Sequence, residues 1–544
     1  MKAKLPKSST YFLFMLMIAF SCSGTKNTPG TTSVEEEQPS LIPSPQMVDW
    51  GTNQYSIPQK NIICYNKEAE GSVQWVEQLL SAANIASEVT EGENCGNWNL
   101  TLNNSLEREL GEEGYKLAIN SSGIHLQAAA EAGLFYGIQT LRQFFPPEIE
   151  KGKLSRKVVL RYVEITDKPE YSWRGSMVDV ARSFFGLEYL KNHVDRMALY
   201  KLNRLHLHLS DDQGWRIEIK SKPALTQIGS KSATEGGNSG FLTQQEYKEL
   251  QEYALARNII LIPEIDMPGH IYAALRSIPE INCEDYSNLS PARAMPPEPY
   301  TGPQVGWSKF CLEKPEVVYN FVSEVIGELV GITKGPWIHI GGDEIEDPLY
   351  EEFVVKADSI VQHYGKTSIG WEEVTKGKVS NSLISQEWHG EVESVVKNLK
   401  TIESICSSFY LDHANVPGQE NTNNWCKEDG VSIEDVYTYR SKNPNAIGVE
   451  AAVWTEYVLN DQMLDNRLWP RLIAVAEVAW SLEDHLDFND FKVRLAAQSD
   501  RIKNMGIHHF KTPGVNWSEN KTSPAAGSVF SGLMPENYAA GQEE

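Results

Sequence analysis

The residues best placed to do chemistry are Asp343 and Glu344, which close the stretch Trp337-Ile338-His339-Ile340-Gly341-Gly342-Asp343-Glu344. Adjacent carboxylates can divide labour, one as a proton donor and one as an anion facing a developing positive charge. The apolar run before them, bounded upstream by Lys334-Gly335-Pro336, has the pattern of a buried strand. Its two glycines permit a sharp turn or close backbone approach. Barrel and open α/β enzymes place their chemistry at the C-terminal end of such strands. Asp-Glu alone equally describes a solvated acidic turn. The distinction rests on what else the chain brings to the same end.

The elements that must position this pair recur from Tyr171 onward as strand, loop, helix. Strand candidates are Gly175–Val180, Arg204–Leu209, Ile259–Pro263, Trp337–Ile340, Ser368–Trp371, Leu383–Glu387, Ile405–Leu411 and Ile447–Val453. Helical spacing separates most of them, over Leu187–Tyr200, Thr243–Arg257, Glu316–Val330, Pro348–His363 and Arg467–Trp480. This alternation predicts an α/β fold, a (β/α)8 TIM barrel over 168–510. An open doubly wound sheet is the alternative, without a Gly-rich phosphate loop to support it. Residues 41–167 mix strand and helix patterns and predict a small N-terminal α+β domain. A loose C-terminal tail is expected over 511–544.

Each predicted strand leads into chemically capable residues. The first gives Asp179 and Arg182, the second Asp211-Asp212-Gln213-Gly214-Trp215, and the third Glu264-Ile265-Asp266-Met267-Pro268-Gly269-His270. Asp343-Glu344 follow the fourth, Trp371-Glu372-Glu373 the fifth, Trp388-His389 the sixth, Tyr410-Leu411-Asp412 the seventh and Trp454-Thr455-Glu456 the eighth. Together they predict one acidic pocket walled by aromatic rings. Carboxylate pairs among aromatic platforms suit glycosidic hydrolysis, which needs a proton for the leaving oxygen and negative charge near an oxocarbenium centre.

The stretches Trp173-Arg174-Gly175 to Asp179-Val180-Ala181-Arg182, His206-Leu207-His208 to Trp215-Arg216, Asp266-Met267-Pro268-Gly269-His270, His339-Ile340-Gly341-Gly342-Asp343-Glu344 and Trp454-Thr455-Glu456 resemble those of family-20 glycoside hydrolases, the β-N-acetylhexosaminidases. The resemblance runs from about Leu41 to Gly506. It implies exo-acting removal of terminal β-linked GlcNAc or GalNAc with retention, the substrate's acetamide acting as nucleophile through an oxazolinium. On that resemblance Glu344 is the general acid/base, Asp343 steadies the acetamido group, and Tyr410 donates to its carbonyl oxygen. Trp371, Trp388 and Trp454 box the sugar and its methyl group. Arg174 grips hydroxyls, Asp412 and Glu456 take O4 and O6, and Asp211 with His270 forms a relay to Glu344, with Asp266 behind. A facing pair of carboxyls is what a protein nucleophile needs. Neighbours on an extended strand point opposite ways, so Asp343 and Glu344 are not expected to form one. The competing readings are a catalytically dead lectin and a covalent nucleophile at Glu372 or Glu373.

The net charge of −24, with 49 Lys and Arg against 73 Asp and Glu, argues against nucleic acid as a partner and fits a neutral oligosaccharide or glycoconjugate. At the N-terminus Lys2, Lys4 and Lys7 precede an apolar run from Tyr11 to Phe20 ending at Ser21-Cys22. Residues 1–22 look like a lipoprotein signal peptide with Cys22 lipidated, followed by a flexible tether over 23–40. An exported protein, lipid-anchored in the bacterial cell envelope, is expected, touching membrane only through that anchor. Six cysteines remain beyond Cys22 and allow 15 connectivities. Proximity along the chain suggests Cys64–Cys95, Cys283–Cys311 and Cys406–Cys426. None shows metal-ligand spacing, and no metal or cofactor is expected.

Overall fold

Two sheets organise the chain in the computed structural model, which describes residues 39–518 except 153, 155, 284–297 and 391–397, together with 529 and 530. The expected signal peptide with Cys22 and most of the expected tether lie outside the described residues.

The first sheet holds β1 (Met47–Ser56), β2 (Lys60–Tyr65), β3 (Ala86–Glu91), β4 (Trp98–Leu102), β5 (Tyr115–Asn120), β6 (Gly123–Ala128) and β7 (Val159–Asp167), in the order β1-β7-β5-β6-β4-β2-β3. Alternation does its work visibly in β5, where Tyr115, Leu117 and Ile119 are buried and the residues between them are not fully so. The helix Glu131–Phe144 lies against this face so closely that a Cβ on Gly137 would meet Leu126 and the Tyr115 ring.

The second sheet is a closed barrel of parallel strands: β8 (Trp173–Asp179), β9 (Arg204–His208), β10 (Ile260–Glu264), β11 (Trp337–His339), β12 (Thr367–Trp371), β13 (Ile384–Glu387), β14 (Lys400–Glu403) and β15 (Ala446–Val453), with β15 pairing back onto β8. Strands covered on both faces lose their alternation, and β8 is buried at every residue. Helices Leu187–Leu199, Gln244–Leu255, Pro315–Val330, Tyr350–His363 and Arg471–Trp480 wrap it. The seventh strand is not Ile405–Leu411 but the shorter β14. The more apolar segment makes a helical turn, Cys406–Phe409, whose Phe409 and the following Leu411 are buried. The segment packs beside β15, Tyr410 bridging to Ala452 and Leu411 N–H donating to Ala452 O at 2.7 Å. The helix expected over Arg467–Trp480 is two helices, Asp461–Leu468 and Arg471–Trp480, divided at Trp469-Pro470, where proline cannot continue a helix.

Disulfides join Cys64–Cys95, Cys283–Cys311 and Cys406–Cys426, the pairs nearest in sequence. Part of the segment expected as a loose tail is docked. Val529 N–H donates to Glu150 O at 2.7 Å, and Phe530 lies 3.9 Å under the Arg142 guanidinium.

Candidate active site

β11 ends at His339, and the chain leaves the barrel through two glycines in the left-handed region, Gly341 at φ +65° and Gly342 at φ +108°. A Cβ at Gly341 would fall 1.8 Å from Asp266 Oδ1, and one at Gly342 would strike Val374. Glycine is therefore required twice, by conformation and by space. Glu344 itself has φ +59°, a strained value for a glutamate. The premise of an extended strand through Asp343 and Glu344 is thus wrong. The turn bends both carboxylates toward one imidazole: His270 Nε2 lies 3.6 Å from Asp343 Oδ2 and 3.4 Å from Glu344 Oε2. A pair converging on one nitrogen still does not straddle a sugar carbon, so the conclusion survives on a different geometry.

His270 reaches back through Nδ1 to Asp211 Oδ2 at 3.6 Å. Burial would lower its pKa, but the charges of Asp343 and Asp211 override that and hold it well above the usual imidazole range. Asp211 goes the opposite way: burial opposes its charge, yet Arg182 at 2.7 Å and His270 hold it well below the carboxylate range. Asp343 is pushed up to about 7 by burial, helped by Glu344 and Glu373 and opposed by His270. Asp266 lies behind, its Oδ1 accepting from Gly342 N–H at 3.1 Å, and burial with the Asp343 charge keeps it well above the carboxylate range. Asp266, His270 and Asp343 bring ligand atoms within 4.8 Å of one another. A cation would compete there with a protonated imidazole, so the cluster serves proton sharing better than metal binding.

Aromatic rings close the other side. Trp454 lies 5.7 Å from Trp371 and 6.0 Å from Tyr410, while Trp388 stacks on Tyr410 at 6.4 Å with a 9° tilt. Burial, then Asp343 and Asp412, raises the Tyr410 pKa well above 10, so its hydroxyl keeps its proton. Trp371 is buried as a floor beneath Trp454, its Nε1–H donating to Glu264 Oε1 at 2.9 Å. Glu372 accepts from the backbone N–H groups of Trp388 and His389, and Glu373 from Glu344 N–H and Trp388 Nε1–H. Both carboxylates are occupied as wall supports, which disfavours them as nucleophiles.

One expected residue is elsewhere. Arg174 sits at the start of β8, away from the pocket, with Nη1 and Nη2 on Glu113 at 2.9 and 2.8 Å and further bonds to Tyr171 O, Lys201 O and Tyr136. Strand direction decides this: Arg174 enters the barrel and cannot reach its exit. The pocket arginine is Arg182, just past β8, facing Asp211, Asp179 at 3.4 Å and Glu456 at 3.8 Å. Its place in Asp179-Val180-Ala181-Arg182 after a strand was the available signal. Glu456 is driven up to about 7 by burial, with Asp179 and Asp412 adding and Arg182 opposing. Asp412 is buried with Oδ1 unpartnered. Also unanticipated are Trp425, half-exposed at the mouth and 5.4 Å from Trp388, and the loop carrying Pro303 and Val305 beside Glu344. The pocket enclosed is about 340 Å³.

A proton donor coupled to an imidazole, opposite an aromatic cage sized for a ring, defines a glycoside hydrolase on a TIM-like barrel. Two family models match: "Glycosyl hydrolase family 20, catalytic domain" over residues 171–352 and 346–483, and "Glycosyl hydrolase family 20, domain 2" over 38–168. A β-N-acetylhexosaminidase of Cellulomonas fimi is 33% identical over 432 residues, covering 76% of this chain and 84% of the relative. A β-hexosaminidase of Porphyromonas gingivalis is 32% identical over 512 residues, covering 86% of this chain but only 64% of the relative's length. The Streptomyces plicatus N-acetyl-β-hexosaminidase structure superposes with a TM-score of 0.80 at 36% identity, covering 88% of this chain and 98% of that one. The chain belongs to glycosyl hydrolase family 20, and its enzyme class is that of the β-hexosaminidases.

Proposed function

We propose that the enzyme removes non-reducing terminal β-linked GlcNAc or GalNAc by a retaining, substrate-assisted reaction. The observation that carries this reading is the convergence of Asp343 and Glu344 on one nitrogen of His270, opposite the cage of Trp388, Tyr410 and Trp454. A protein nucleophile would need a second carboxylate across the sugar, and Glu372 and Glu373 are both engaged in the wall. A structure of the Streptomyces plicatus enzyme with its product GlcNAc is consistent with such a substrate.

In the first step the acetamido oxygen attacks the anomeric carbon while Glu344 gives its proton to the leaving oxygen. The glycosidic bond breaks and an oxazolinium forms. Asp343, as the anion, accepts from the acetamido N–H and faces the ring's positive charge, and Tyr410 donates to the acetamido oxygen. In the second step Glu344 takes a proton from water as the water oxygen bonds to the same carbon. The acetamide is restored and configuration retained. Arg182, Glu456 and Asp412 hold the hydroxyls on the far side of the sugar. A lectin would have no use for the proton donor.

Replacing the substrate's acetyl group by mono-, di- and trifluoroacetyl tests this directly. The rate should fall stepwise as each fluorine weakens the oxygen nucleophile. An indifferent rate, or a stable glycosyl adduct on a carboxylate, would show a protein nucleophile instead.

The basic, apolar, Cys-terminated N-terminus supports export and a lipid anchor at Cys22. Mass spectrometry of the native N-terminus is the check, with a diacylated or triacylated Cys22 expected. A soluble form starting elsewhere and unaffected by Cys22→Ala would defeat the anchor.

A further inference from the structure

We propose that His208 and Glu264 are positioning residues for proton transfer, acting on Glu344 through Asp211 and His270; this rests on the acid/base role given to Glu344 above. The three strands β9 to β11 bring one line of charged groups to the barrel's exit. Glu264 Oε2, at the end of β10, lies 2.5 Å from His208 Nδ1, at the end of β9. His208 Nε2 is 2.9 Å from Asp211 Oδ2, which lies 3.6 Å from His270 Nδ1, and His270 Nε2 is 3.4 Å from Glu344 Oε2. Glu264, His208, Asp211 and His270 are all buried, so water does not screen them.

The charges along the line alternate. Burial favours a neutral Glu264, but His208, His339 and His206 hold it well below the carboxylate range. Burial likewise opposes charge on His208, and Glu264, with hydrogen bonds to Asp211 and Glu264, holds it well above the imidazole range. The other groups facing His208 are Arg182, whose Nη1 is 3.5 Å from Nε2, Asp179 on β8, and Asp266, which clusters with His208 and Asp211. His270 is faced by Asp211, Asp212, Asp266, Asp343 and Glu344. Glu264 and His208 therefore form a dipole whose positive end is nearer Asp211. That end shares with Arg182 the neutralisation of Asp211, and so sets how tightly His270, beside Glu344, holds its proton. Glu264 also accepts from Trp371 Nε1–H and lies 3.1 Å from His339 Nδ1, tying the cage floor to the same anchor.

The sign follows. Without the positive end, Asp211 is less compensated and the proton on His270 is held more firmly. His270 beside Glu344 then stays cationic to higher pH, so the basic limb of kcat/KM should move to higher pH. The test is the pH profile of kcat/KM on an aryl β-GlcNAc substrate with a poor leaving group, for the wild type, Glu344→Gln, His208→Gln and Glu264→Gln. Expected is an alkaline shift of about half a unit or more in His208→Gln, and the same direction in Glu264→Gln because His208 there loses the carboxylate that keeps it charged, with KM near that of the wild type. A limb that stays put while the rate falls uniformly, or that moves to lower pH, overturns the proposal. Persistence of the limb in Glu344→Gln overturns the acid/base assignment as well; its loss there, with no movement in the other two, overturns the positioning role alone. Should either variant fail to fold, nitrogen-15 imidazole shifts of the wild type decide: His208 protonated through the basic limb supports the dipole, and His208 neutral at the pH of maximal activity overturns it.

Discussion

Arg174 and Arg182 flank one strand, β8, and do opposite work. Arg174, at the strand's start, has every nitrogen occupied: a bidentate pair with Glu113, two backbone carbonyls and Tyr136. It fastens the first domain to the barrel's base, where Lys201 and Trp480 similarly meet Asp167. Arg182, past the strand's end, has long contacts to Asp179 and Glu456, and its buried Nε has no partner. Buried polar groups are normally satisfied. At the exit His270, Asp343, Asp266 and Asp412 also carry unpartnered atoms. Arg174 is satisfied by folding; Arg182 keeps capacity for a substrate.

The largest effect that sharpens this contrast should come from Glu344→Gln, with kcat/KM down about 10²- to 10⁴-fold on poor leaving groups and far less on activated ones. A loss independent of the leaving group would contradict the acid role. Next, Arg182→Met should lower kcat/KM by about 10²-fold, since it strands buried carboxylates beside the sugar and costs about 3 kcal/mol. Its counterpart Arg174→Met should leave kcat/KM of the folded enzyme within about twofold yet cost about 3 kcal/mol of stability, because it uncovers Glu113. Denaturant unfolding beside steady-state kinetics separates the two, and equal behaviour of the two variants would break the comparison. A sulfate at O6 should meet Asp412 and Glu456 and slow the reaction by about tenfold or more. Equal kcat/KM on plain and 6-sulfated aryl glycosides would remove those residues from O4 and O6.

The smallest expected effect is a displaced acid limb. Asp343 sits at about 7, raised by burial and further by Glu344 and Glu373. It is needed as the anion, so activity is lost as pH falls through that value. Glu373→Gln removes one raising charge while keeping an acceptor for Trp388, and the acid limb of kcat/KM should move to lower pH. An unmoved or rising limb would show that another group sets it.

Much of the exit was legible because its residues are local in sequence to strand ends. Asp343-Glu344, Trp388, Tyr410, Trp454 and Glu456 each follow a recognisable strand or apolar run and line the same pocket. The apolar run that points to Tyr410 is a helical turn and not a strand. A four-residue strand bearing Lys400 and Glu403 carries a weaker signal than the buried turn after it. Arg174 was misplaced because a sequence motif carries no label for which end of its strand enters the pocket.

By itself the sequence determined the alternation of elements, the pairing of nearby cysteines and the identity of the acidic pair, since each depends on spacing within a few tens of residues. Only tertiary structure decided what those groups face. Glu113 reaches Arg174 across 61 residues of chain, and Glu264 reaches His208 across 56 and Trp371 across 107. Neither the direction of a side chain nor the dielectric around it is encoded in spacing. Barrel closure sets both at once, and with them the protonation of His270, Asp343 and Glu456.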